Sequence, residues 1–148
     1  MNLIDTFRYL VSLEQHKHFS RAAQACHITQ PALSNAIKAL EDELGTKIVN
    51  RGRNFEGLTD EGKRVLASAH QILHETESLK QDISSRKGNP SGYLIIGSVP
   101  SALPLASRFA VLLQKNFGGI APTVRSMASQ EIELSIENLT VDMAFGYT

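Results

Sequence analysis

Cysteine is nearly missing, with Cys26 the one thiol in 148 residues. A single thiol closes no internal disulfide, and its setting among alanines reads as a small buried side chain in preference to a redox sensor. Net charge is missing too, since 15 basic residues balance 15 acidic ones. A neutral sum is silent about nucleic acid, so any such argument has to come from local sign. Met1 to Phe7 lacks the basic and apolar stretches of a signal peptide, and Arg108 interrupts the longest later apolar run. Signal peptide and membrane span are therefore excluded, and a cytoplasmic location is expected. Repeats and low-complexity tracts are absent. So are the constellations of an enzyme: no nucleophile beside a base, no phosphate loop and no metal set at recognisable spacing. His70 and His74 lie four apart on one helix, but Gln71 fills the place a zinc protease gives to Glu and nothing completes a ligand set. Both read as solvated flanks; His16, His18 and His27 have no ligand pattern either, and no metal or cofactor is expected. What remains is 42% apolar content in a chain long enough to bury a core, hence a globular protein of one or two domains.

The residues that are present centre on Phe19 to Leu44, FSRAAQACHITQPALSNAIKALEDEL. Ser20 is a candidate cap for a short helix running to about Cys26, whose Ala22, Ala23 and Ala25 leave room for a close neighbour. A second helix starts at Thr29, whose hydroxyl can accept from a first-turn N–H. Pro31 costs nothing there because no intrahelical donor is needed, and Gly45 ends the helix. Leu33, Ile37, Leu40 and Leu44 form one apolar stripe. The other side shows Gln30, Ser34, Asn35 and Lys38, amide, hydroxyl and ammonium groups of the kind that bond base edges or phosphates. Local charge agrees: no Asp or Glu occurs from Gln15 to Leu40, while Lys17, Arg21 and Lys38 do. Glu41, Asp42 and Glu43 follow at the far end, read as a solvated face pointing away from phosphate. The same spacing also suits an ordinary helical hairpin in a core.

The run FSRAAQACHITQPALSNAIKALEDELGTKIVNR, followed by LTDEG at Leu58 to Gly62, resembles the amino-terminal domain of LysR-type bacterial transcription regulators. The resemblance is strong from Met1 to about Arg86 and weaker beyond. It departs at Asn35, where many relatives have Arg, and at Ile48 and Val49, which replace a frequent Leu-Phe pair. It implies a winged helix-turn-helix, a homodimer or higher homo-oligomer on double-stranded DNA, RNA polymerase as a further partner, and a bacterial, nucleoid-associated location.

Elsewhere in this part, Asn2 with Asp5 resembles a capping pair for a first helix that carries Leu3, Phe7, Leu10 and Val11 to about Gln15. Lys47 to Arg51 and Phe55 to Leu58 read as two short strands around a turn at Gly52 to Asn54. Arg51 and Arg53 stand where the family places contacts to backbone or minor groove; solvated surface arginines are the other reading. Thr59 caps a long helix with Asp60 and Glu61 in its first turn. Leu58, Gly62, Val65, Ala69, Ile72, Thr76, Leu79 and Ile83 form a heptad seam, widened by Leu66 and Leu73. Spacing alone does not say whether a second copy or the same chain covers it; the resemblance implies antiparallel pairing of two linker helices.

RKGNPSG, residues 86–92, reads as a hinge. Beyond it, a strand over Tyr93 to Gly97, a helix over Ala102 to Asn116, a strand over Thr123 to Met127, a helix over Gln130 to Asn138 and a strand over Val141 to Phe145 alternate as βαβ units of a parallel sheet. This part resembles, more loosely, the opening of the family's effector-binding domain, with its Val-Asp-Met-Ala strand. Ser98, Ser101 and Ser129 are candidate contacts for a small carboxylate-like effector, with helix capping as the other reading.

The expected fold class is mainly α: a winged helix-turn-helix and a long dimerisation helix, followed by an incomplete α/β, periplasmic-binding-protein-like segment. The expected domains are 1–58 for DNA binding, 59–87 for the linker helix, 88–92 for the hinge and 93–148 for the partial effector domain. The function implied is a dimeric, sequence-specific DNA-binding regulator and not an enzyme. Thr29, Gln30, Pro31, Ser34, Asn35, Lys38, Arg51 and Arg53 form its DNA-binding set. Because the second subdomain of a complete relative is absent, effector response is expected to be lost. The alternative is an interaction module that captures intact relatives into inactive mixed dimers.

Overall fold

The computed structural model describes residues 2–52, 54–85 and 90–147. They form two compact units, one ending at Leu73 and the other beginning at His74.

The first unit is built on α1 (Leu3–His16), α2 (Phe19–Ala25) and α3 (Gln30–Leu44), then a hairpin of β1 (Val49–Arg51) and β2 (Phe55–Leu58), then the start of α4 (Asp60–Ser85). Asn2 caps α1 as its sequence suggested, its side chain accepting from the Asp5 N–H at 3.4 Å and donating to the Asp5 carboxylate at 2.6 Å. The cap of α2 is a correction. His18, not Ser20, holds it: His18 has extended backbone and its Nδ1 accepts from the Ser20 N–H at 3.2 Å, while Ser20 already lies in the helix. Ala22 and Ala23 are buried, and Ser12 Oγ donates to the Ala22 carbonyl at 3.1 Å, joining α1 to α2 inside the core. Ala25 is exposed and Cys26 only half-buried, against the expected buried thiol, because the helix ends there and Cys26 is its cap. The turn to α3 passes through His27 at φ 57°, and the Ile28 N–H reaches back to the Ala23 carbonyl at 3.0 Å.

Phe7, Leu10, Leu13, Leu33, Ile37 and Leu40 meet in one core with Ile48, Val49, Leu58 and Ala69. Each fully buried Leu or Ile contributes about 1.5–3 kcal/mol. Leu44 does not complete the stripe; it is 50% exposed, one turn past the edge of this core. Thr59 starts α4 with a hydroxyl that accepts from the Gly62 N–H at 2.9 Å and donates to the Lys47 carbonyl at 2.6 Å. Gly62 is needed for close approach, since a Cβ there would stand 2.1 Å from the Ile48 carbonyl oxygen.

The heptad seam divides along its length. Val65, Leu66, Ala69 and Leu73 pack on the first core, whereas Leu79 and Ile83 are 60% and 63% exposed. The chain itself therefore covers the first half. Nor are the two histidines solvated flanks: His70 is half-buried, and His74 Nδ1 lies 3.9 Å from Asp142 Oδ1 in the second unit.

That unit carries β3 (Ser91–Ser98), a 3-10 turn at Pro100–Ala102, α5 (Leu103–Asn116), β4 (Gly119–Ser126), α6 (Ser129–Glu137) and β5 (Met143–Phe145). Its three strands are parallel in the order β4-β3-β5, as alternating elements demand. Residues 86–89 of the expected hinge lie outside the described residues, and Ser91 and Gly92 already pair with Gly119 and Ile120. β4 begins four residues before the expected Thr123 because β3 pairs with it along its whole length. Pro122 hid this from the pattern, and an edge strand tolerates it. β5 starts at Met143 rather than Val141, since the Asp142 carboxylate accepts from the Ile95 N–H at 2.7 Å and the Asp142 N–H donates to the Ile95 carbonyl at 2.9 Å. Ile96, Ala106 and Ala110 form the buried centre, lined by Leu94, Phe109, Val124 and Phe145.

Candidate nucleic-acid interface

Recognition by a helix requires that one side be anchored and the other left free. α3 meets both conditions. Thr29 has extended backbone and its hydroxyl accepts from the Ala32 N–H at 3.3 Å; Pro31 sits in the first turn, and Gly45 closes the helix in a left-handed conformation at φ 65°. Leu33 and Ile37 are fully buried and Leu40 is 1% exposed, which fixes the rotation of the helix about its axis. Thr29, Gln30, Pro31, Asn35 and Lys38 are exposed on the other side, and Ser34 is half-buried at its border. An amide, a hydroxyl and an ammonium group on a convex helical surface suit base edges and phosphates.

The acidic end of α3 differs from the sequence expectation. Asp42 and Glu43 are exposed, but Glu41 is 2% exposed and is no part of a solvated face. One carboxylate oxygen accepts from the backbone N–H groups of Ile48 and Val49 at 3.0 and 3.1 Å, and the other lies 3.5 Å from Lys47 Nζ. The side chain thus receives the first amides of the hairpin, tying its root to α3, and withdraws a negative charge from the surface. A carboxylate one position after Leu40 on the buried stripe was the available signal. Helical charge patterning alone obscured it, because the partners are backbone groups seven and eight residues away.

The hairpin pairs Val49 with Leu58 and Arg51 with Phe55. Arg51 thus has a backbone place in β1; its side chain and the whole of Arg53 lie outside the described residues. A second set of candidates, the serines of the α/β unit, is not brought together. Ser98 is fully buried and its hydroxyl donates to the Val99 carbonyl at 3.0 Å, which removes it from any surface contact. Ser101 is exposed in the 3-10 turn. Ser129 opens α6, without capping it, and lines a cavity of about 230 Å³ with Val99, Ile132, Glu133, Ile136 and Tyr147. This cavity lies beyond the carboxyl ends of β3 and β5, where open α/β sheets bind ligands. Sequence reasoning found the serine and missed the apolar wall, whose spacing reads only as one side of a helix. Among the described residues no three of His, Cys, Asp and Glu gather closely enough to hold a metal ion. No helix among them is long and apolar enough to cross a membrane.

Comparison with known proteins agrees with this geometry. The family model of the bacterial regulatory helix-turn-helix protein, lysR family, matches residues 4–63. The hydrogen peroxide-inducible genes activator of Pectobacterium carotovorum subsp. carotovorum is 32% identical over 145 residues, 97% of this chain and 48% of that protein. The DNA-binding transcriptional dual regulator OxyR of Escherichia coli (strain K12) is 40% identical over 104 residues, 70% of this chain and 34% of that one. A full-length OxyR variant from Pseudomonas aeruginosa is similar in structure, with a TM-score of 0.70 and 26% identity over 95% of this chain and 49% of that chain. The chain thus spans about half the length of the curated relatives it matches or less. Residues 4–63 thus form a bacterial regulatory helix-turn-helix domain of the lysR family, and the α/β unit follows it as in these relatives.

Proposed function

We propose that the chain is the DNA-binding part of a transcription regulator. In this reading α3 enters the major groove of double-stranded DNA and the hairpin acts as a wing over the flanking backbone. The observation that carries it is the two-sidedness of α3: Leu33, Ile37 and Leu40 buried, with Gln30, Asn35 and Lys38 open and no acid among them. Gln30 and Ser34 read base edges, Asn35 a base or a phosphate, Thr29 and Lys38 phosphate, with Pro31 shaping the first turn and Arg51 and Arg53 serving the wing. Two copies pair through α4, whose Leu79 and Ile83 continue a heptad seam on exposed surface. Such a pair presents two recognition helices to a near-palindromic site. A small anion at the Ser129 cavity is the effector of this reading. Within this chain it binds weakly, because one wall of a cleft buries little of a ligand.

Titration of DNA binding against salt tests the proposal, using a site selected from genomic fragments with the purified chain. Affinity should fall steeply, with a log–log slope of about −0.9 per phosphate neutralised. A flat profile removes the phosphate assignments. The exposed half of the seam also favours a second reading, capture of intact relatives into inactive mixed dimers. A chain that shifts no DNA alone but abolishes the shift of an intact relative establishes that reading instead.

A further inference from the structure

The two strands of the hairpin have three and four residues, too few to hold an orientation by pairing alone. Glu41 secures the root of β1. The end of β2 is anchored by Leu58 in the core, and what holds its start is an aromatic contact. The Phe55 ring at the start of β2 meets the Phe19 ring at the start of α2 edge to face, with centroids 6.1 Å apart and planes at 80°. Lys17 Nζ stands 5.8 Å from the centroid of the same Phe55 ring and is ion-paired with Glu14. Lys17 also ends α1 at φ 51°, a left-handed conformation uncommon for a residue with a Cβ, which aims its side chain from the α1–α2 corner. Three elements therefore converge on one ring: the end of α1, the start of α2 and β2.

We propose that Phe55 is a positioning residue for DNA binding, a clamp that sets the wing against the helix-turn-helix so that wing and α3 engage one duplex together. This rests on the DNA-binding reading above for its consequence, but not for its mechanics. Edge-to-face rings and a cation over a ring are directional contacts, so a side chain of equal hydrophobicity without a ring fills the space without setting the angle. The phosphate contacts of the wing then become optional while those of α3 remain.

The test compares the wild type with Phe55→Leu and Phe55→Tyr in two measurements. The first is amide hydrogen exchange without DNA. Phe55→Leu should speed exchange across Val49 to Leu58 by about tenfold and leave α2 and α3 unchanged, and Phe55→Tyr should restore wild-type protection. The second is DNA binding with hydroxyl-radical footprinting. Phe55→Leu should bind about tenfold more weakly, with a salt slope shallower by about one to two and protection lost only at the flanks, and Phe55→Tyr should bind as wild type. Unchanged wing exchange in Phe55→Leu, or equal loosening of α2 and α3, overturns the clamp even if the wild type binds no DNA. A wild type that binds no DNA overturns the functional reading separately. Loss of central and flanking protection together, or failure of Tyr to restore the flanks, overturns the positioning role.

Discussion

The two units of this chain satisfy their apolar surface to very different degrees. In the first, helices and hairpin enclose a core in which Leu10, Leu13, Leu33, Ile37 and Ile48 are all fully buried. In the second, the buried apolar residues among those described are Ile96, Val99, Ala106, Ala110, Ile132 and Val141, while Leu105, Val111, Leu112, Leu134, Ile136 and Tyr147 stand exposed. Among the described residues no further strand pairs with the edges of the sheet, β4 and β5. A three-helix arrangement closes on itself because each helix offers one stripe to the others. A three-stranded parallel sheet with one helix in each crossover leaves edges and outer helix faces for other surfaces to cover. Among the described residues the first unit therefore buries its largest apolar side chains more completely than the second.

The sharpest way to break this contrast is a matched pair of core truncations. Leu33→Ala should cost the first unit about 3–5 kcal/mol, whereas Ile96→Ala should cost the second about 2 kcal/mol, because an open layer collapses around a void more readily than a closed core. Unfolding followed separately by probes in each unit checks this, and equal losses would abolish the distinction. Next in size is Glu41→Ala, which strands the Ile48 and Val49 N–H groups and should cost about 2–3 kcal/mol, read as a lower denaturation midpoint of the first unit alone. Thr59→Ala removes the α4 cap and should cost about 1 kcal/mol, again in the first unit.

The smallest expected effect is one of pH. Burial lowers the pKa of His70 from 6.5, so the unfolded chain takes up its proton first as pH falls. Stability of the first unit should therefore decline as pH drops from 6.5 toward and through the folded value, and be unaffected by this group above 6.5. His70→Gln should flatten that part of the profile. An identical acid-side slope in the variant would assign the decline to other groups.

Much of the first unit was legible because local and tertiary demands coincide there. Thr29, Pro31 and Gly45 mark the ends of α3 by backbone rules alone, and the Leu33, Ile37, Leu40 spacing names its buried side. Legibility failed where a side chain serves a partner distant in sequence. Glu41 reads as one of three surface acids, yet the hairpin amides draw it inside. Ser20 reads as a better cap than His18, yet the helix begins two residues earlier. In the α/β unit, alternation announced a parallel sheet, but the starts of β3 and β4 were hidden by glycine and proline, which strands tolerate only when a neighbour supplies the pairing. Ser98 illustrates the same limit, since a serine at a strand end faces a ligand or the interior according to the pleat.

From the sequence alone followed the order of the elements, their class and the free polar side of α3, because periodicity and end signals act within a few residues. Tertiary structure alone decided that Glu41 anchors the hairpin, that Phe19, Phe55 and Lys17 meet, that the first half of the α4 seam is covered by its own chain, and that Ser129 rather than Ser98 faces the cavity. Each of these joins groups far apart in the chain, and only the packing of whole elements brings such groups together.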